Sequence, residues 1–122
     1  MQVFTVVLVS EVEEWLLGLA ASDPASADLV EATIDVLAEV GPTLGRPLAD
    51  RIKGSAVHNM KELRPPSAGS TEVRILFVFD PQRQAVLLVA GDKSSDWKGW
   101  YRVAIPLAEE RYARYLDADK EA

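Results

Sequence analysis

EVRILFVFDPQRQAVLLVAGDK, residues 72–93, decides how this chain folds. Glu72 to Phe79 reads as a strand in which Val73, Ile75, Phe77 and Phe79 share one face and Glu72, Arg74, Leu76 and Val78 the other. Ala85 to Ala90 is apolar at every position, which predicts a central strand covered on both faces. Between them Asp80-Pro81-Gln82-Arg83 places Pro at the second position of a type I-like turn, and Asp80 is expected to cap it. The basic side chains inside such core-forming segments need a reason. They are Arg74, those of HNMKELR (residues 58–64) and Lys93 at the exit of the apolar strand.

Upstream, Val3 to Val9 is rich in β-branched and aromatic residues and predicts the first strand. Ser10 followed by Glu13 has the spacing of a capping box, and Val12, Trp15, Leu16 and Leu19 make a helical apolar face. Asp23-Pro24 starts a second helix that presents Ala27, Val30, Ile34, Leu37 and Ala38 and stops at Gly41-Pro42. Its Asp28, Glu31, Asp35 and Glu39 lie on other faces, as on a solvated helix surface. Residues 41–55, with three Gly and two Pro, read as a connecting loop. Val57 to Arg64 is the second strand. After SSDWKGWY, read as a loop, Pro106 opens a last helix with Ala108, Tyr112, Tyr115 and Leu116. The order is β-α-α-β-β-β-α. It predicts an α+β fold, a small mixed or antiparallel four-stranded sheet with two N-terminal helices on one face and a C-terminal helix near its edge.

With 122 residues and 48% hydrophobic content, one domain spanning 1–122, ordered over about 3–116, is expected. The chain has no Cys, which excludes disulfides, thiolate zinc sites and thiol chemistry, and its single His argues against a His-based metal site. No basic segment precedes the first apolar run and no run approaches a membrane span, so a soluble cytoplasmic protein without a membrane partner is expected. Charge is segregated. Residues 1–45 hold eight acids and no Lys or Arg, whereas residues 46–102 hold ten Lys/Arg against six acids. The net charge of −6 and pI of 4.7 therefore conceal a basic half.

LGRPLADRIKGSAVHNMKELRP, VRILFVFDPQRQAVLLVAGDK and WYRVAIPLAEERYARYL together resemble HigB-type toxins of the RelE superfamily, including their phage-derived branch, over about residues 3–116. The resemblance implies a compact RelE-like, microbial-RNase-type fold and an endonuclease that cuts mRNA, usually on the translating ribosome. It also implies a helix-turn-helix, HigA-like antitoxin as partner. Cleavage would be metal-independent and need no cofactor.

RNA cleavage of that kind uses the 2′-OH as nucleophile, and the enzyme must stabilise a pentacoordinate phosphate and move two protons. Arg74 leads the candidates, because a guanidinium matches phosphate geometry with two parallel hydrogen bonds. Its competing role is a salt bridge to Glu62 or Glu72. Lys93 stands where the resemblance places a functional basic residue, commonly Arg; its competing role is a pair with Asp92 or Asp96. Lys61 and Arg64, three apart on one strand, should face opposite ways, and Lys61 is the one favoured for phosphate or proton work. His58 has the side chain suited to proton transfer near neutrality, although a lone His is commonly structural. Tyr101 matches a family Tyr that acts on the 2′-OH or stacks on a base, and as a base it would need nearby cations. Arg46, Arg51, Lys53, Arg64, Arg83 and Lys98 complete the expected RNA-contacting set. Trp97 and Trp100 either stack on bases or pack the last helix.

Two other classes compete. The acidic pI fits a toxin-derived binding module that contacts an antitoxin or the ribosome without cleaving. A small enzyme with paired catalytic carboxylates finds weak support, because the acids fall at helix-surface spacing.

Overall fold

The computed structural model describes residues 3–121, with side chains as far as residue 118. The chain runs β1 (Val6–Leu8), α1 (Ser10–Ser22), α2 (Pro24–Val40), a 3₁₀ turn (Gly41–Thr43), β2 (Ala49–Arg51), β3 (Lys61–Leu63), β4 (Val73–Phe79), β5 (Ala85–Asp92) and α3 (Trp97–Glu121). The five strands form one sheet in the order β1-β5-β4-β3-β2. β1 pairs with β5 in parallel, and the other pairings are antiparallel.

β4 and β5 are the hydrophobic centre, as their patterns predict. Ile75, Leu76, Phe77, Val86, Leu87 and Leu88 are almost wholly buried. The register slips between Leu76 and Phe77, which face Val89 and Leu87 respectively, so Leu88 is the extra residue of a bulge. Its carbonyl takes a hydrogen bond from Arg111 Nη1 at 2.9 Å. The turn between the strands is built on Asp80. Its Oδ1 accepts from the backbone N–H of Gln82 and Gln84 at 2.9 and 2.8 Å, and its Oδ2 from the Tyr115 hydroxyl at 2.8 Å.

The helical layer also follows local chemistry. Asp23 caps α2, accepting from Ser26 N at 3.3 Å and Ser26 Oγ at 2.6 Å, with Pro24 in the first turn. Gly41 ends it with φ of 74°, and the ring of Phe4 occupies the space a Cβ would need there. α1 packs on β5 and on α2, which reaches β1; α3 lies against β4 and β5.

Four expectations are corrected. Ala49–Arg51, inside the expected loop, is a fifth strand: three residues carry no periodic signal, and the open edge of β3 recruits them. β3 itself is shorter than Val57 to Arg64, because the chain turns at Asn59, which has φ of 62°. Ser10 forms no capping box. Val9 holds the cap position, so Ser10 is already helical and its hydroxyl donates to Glu11 at 3.2 Å. The last helix begins at Trp97 rather than Pro106, which lies inside it, and it crosses β4 and β5 instead of sitting at the edge. Asp96 starts this helix by accepting from Gly99 N at 3.1 Å.

Candidate active site

Register decides which basic side chains meet. Glu62 pairs with Leu76 and Lys61 with Phe77, so Glu62 shares a sheet face with Arg74, Leu76 and Val78, while Lys61 is turned to the other. α3 covers the first face. Its Tyr101 hydroxyl donates to Glu62 Oε1 at 2.5 Å, across 39 residues of sequence.

Arg74 lies within this contact and is 8% exposed; Glu62 is 9% exposed. Arg74 Nη1 donates to the carbonyl of Val73 at 2.8 Å, and Nε stands 3.7 Å from Glu62 Oε1. That separation is an ion pair but not a hydrogen bond, and Nε is left as a buried donor without an acceptor. The salt bridge to Glu62 weighed against a phosphate role is therefore present. Arg74 is still reached from outside through a depression of about 220 Å³ that it lines with Arg64, Ser67, Thr71 and Glu72.

Lys93 joins the cluster from the end of β5, its Nζ 5.8 Å from the centre of the Tyr101 ring. The carboxylates that sequence offered as its partners are engaged elsewhere. Asp92 accepts from Glu72 N and Ser94 N at 3.0 and 2.9 Å, and Asp96 caps α3. Burial and the adjacent Glu62 carboxylate push the Tyr101 phenol well above its ordinary pKa. The group is a hydrogen-bond donor at neutral pH, and a free phenolate is disfavoured here.

The remaining candidates stand apart from Arg74. Lys61, His58, Arg46 and Arg51 line a separate cavity that Arg74 does not reach. Arg64 reaches Asp50 at 3.9 Å while also lining the depression beside Arg74, so Lys61 and Arg64 do point opposite ways. Arg83 sits on the Asp80 turn, at the opposite end of β4 from Arg74, over the ring of Phe4. Lys53 is exposed after β2, and Lys98 lies over Trp97 in the first turn of α3. Of the two tryptophans, Trp100 packs against Gly91 and Trp97 is 55% exposed. Glu62 is the site residue that the sequence reading assigned only as a partner for Arg74. Alternation within one strand was the available signal, but the cross-strand register that sets Glu62 beside Arg74, and the packing of α3 that brings Tyr101 to it, were not.

Residues 15–113 match the model of the family described as "Phage derived protein Gp49-like (DUF891)". A Mycobacterium tuberculosis protein named "Putative toxin HigB3" is 47% identical over 114 residues, covering 93% of this chain and 95% of that protein. Another from the same organism, named "Putative toxin HigB2", is 51% identical over 108 residues, 88% of this chain and 52% of that protein, so the chain spans about half its length. No solved structure matches.

Proposed function

This chain belongs to the phage-derived Gp49-like family, and on that premise we propose that it is the toxin of a toxin–antitoxin pair, an endoribonuclease that cuts mRNA on the translating ribosome. The observation that carries the reading is the meeting of Arg74 and Tyr101 at Glu62, with Lys93 beside the Tyr101 ring, at one end of the sheet. The names of the two relatives support the toxin role and, with it, an antitoxin partner, for which a HigA-like helix-turn-helix protein is the proposed identity.

In the proposed reaction the substrate's 2′-oxygen attacks the adjacent phosphorus and the bond to the 5′-oxygen breaks, leaving a 2′,3′-cyclic phosphate and a 5′-hydroxyl. Arg74, entered through the depression it shares with Arg64, and Lys93 stabilise the charge that builds on the phosphoryl oxygens. Tyr101 need never become a free phenolate. It takes the 2′-hydroxyl proton on its oxygen as its own proton passes to Glu62 Oε1, along the hydrogen bond already in place. Lys93 returns a proton to the leaving 5′-oxygen. No step calls on a metal or cofactor.

A second reading has one observation in its favour: Arg74 is buried and ion-paired beneath Tyr101, the arrangement expected of a binding module that does not cleave. Purified protein incubated with mRNA, with and without translating ribosomes, separates the two. Fragments with cyclic-phosphate and 5′-hydroxyl ends are expected. Intact mRNA in both conditions, with no growth arrest on expression, would leave only the binding module.

A further inference from the structure

A second cavity, at the β2–β3 edge of the sheet, holds about 720 Å³, within the range of small-ligand sites; Arg51, Lys61 and Phe79 reach it from the face opposite Arg74, and Tyr112 from α3. Its charge arrangement is unusual. Arg51 and Lys61 are direct cross-strand partners on β2 and β3, and like charges directly opposite one another destabilise a sheet. Neither has a carboxylate partner among the described residues. Arg51, which is exposed, donates from Nη2 to Asn59 Oδ1 at 2.9 Å, and half-buried Lys61 from Nζ to the carbonyl of Pro42 at 2.7 Å, so both keep further N–H donors for a ligand to take. Burial, and then Arg51, hold the Lys61 ammonium below its ordinary pKa.

The cavity's own acids do not neutralise this pair. Asp50 is engaged by Arg46 at 2.8 Å and by Arg51 N at 2.9 Å, and Asp80 by the turn and Tyr115. An anion from outside would offset the repulsion between the two cations. A phosphate monoester, with nearly two charges, answers both cations, whereas one carboxylate answers one. Beside the pair stand Pro42, Leu44, Phe79 and Tyr112, a wall suited to a flat, apolar-faced group.

We propose that this cavity binds a phosphorylated nucleoside, with the phosphate bridging Arg51 and Lys61 and the base against Phe79 and Tyr112. The ligand is a free mononucleotide or the 5′-terminal nucleotide of an RNA, which share this chemistry. The proposal stands apart from the cleavage reading, because Arg74 and Lys61 lie on opposite faces of the sheet.

Titration calorimetry of the full chain with adenosine 5′-monophosphate, adenosine and inorganic phosphate tests it. The monophosphate is expected to bind at least about tenfold tighter than either fragment, and Lys61→Met and Arg51→Gln each to weaken it by about tenfold or more. Ligand-free Lys61→Met, which loses both the like-charge contact and the hydrogen bond to Pro42, should still melt cooperatively within a few degrees of the wild type, which shows that the variant folds. A short 5′-phosphorylated RNA that displaces labelled monophosphate more effectively than unlabelled monophosphate does identifies the RNA terminus as the source, and displacement no better than that identifies the free nucleotide. The site is overturned if the monophosphate shows no saturable binding, or if either variant binds it as the wild type does.

Discussion

Tyr101 of α3 and Glu62 of β3 share a 2.5 Å hydrogen bond, and the oxygen that accepts it is also the one 3.7 Å from Arg74 Nε. One carboxylate therefore holds both the helix that covers the sheet and the guanidinium beneath it. Stability and chemistry are coupled at this oxygen.

Tyr101→Phe keeps the ring and its packing but removes the proton path to Glu62. RNA cleavage is expected to fall by about 10²-fold or more, within the range of a lost general acid–base group, with the thermal midpoint changing by a few degrees at most. Single-turnover cleavage at saturating ribosome–mRNA complex measures it. A rate within a few-fold of wild type would remove Tyr101 from the proton path.

Arg74→Ala is a poor test of catalysis by itself. It leaves Glu62 as a buried carboxylate without its cation, and removing one partner of a buried pair costs about 3–5 kcal/mol. Arg74→Lys retains the charge and loses the two-pronged phosphate contact. The expected result is a marginally stable Ala variant by urea unfolding, beside a Lys variant that folds and cleaves at least about tenfold more slowly. An Ala variant as stable as wild type would mean that the ion pair carries none of the fold's stability.

The β4-turn-β5 unit was readable because alternation, an unbroken apolar run and an Asp-Pro turn are all local signals. The charges at Lys61 and Arg64 were sorted to opposite faces by the same alternation. What could not be read was non-local. β2 exists because β3 offers an open edge, and Glu62 belongs to the site because register carries it toward Arg74 and under Tyr101. The start of α3 is ambiguous in sequence for a different reason: Pro106 has the look of a first-turn proline, whereas the cap is Asp96, three residues before Gly99.

Gly91 tests how far α3 sets the site. A Cβ at this position would overlap Nε1 of Trp100, which neighbours Tyr101 and meets its ring edge-on at 5.0 Å. Gly91→Ala must displace the Trp100 ring, and is expected to carry the first turn of α3 off the sheet with it, at about 1–3 kcal/mol for an overpacked contact. Cleavage should drop together with the Tyr101–Glu62 contact, read as faster hydrogen exchange in residues 97–104. Unchanged exchange and activity would show that Trp100 can move without carrying Tyr101.

Glu11 ties α1 to the far end of α3. Arg114 donates to both of its oxygens at 2.7 and 2.8 Å, and Arg111 Nε is 3.4 Å away. The Arg114 contact is the main reason that the Glu11 carboxyl falls from 4.5 to about 2. A carboxyl lowered by folding stabilises the protein fully above its unfolded value and loses that contribution as pH falls from 4.5 toward 2. Solvent reaches both partners, so the effect is modest and weakens with added salt. Urea midpoints for wild type and Glu11→Gln should differ near pH 7 and converge by about pH 2. A difference that persists unchanged to that pH would assign the loss in Glu11→Gln to packing or hydrogen bonding rather than to charge.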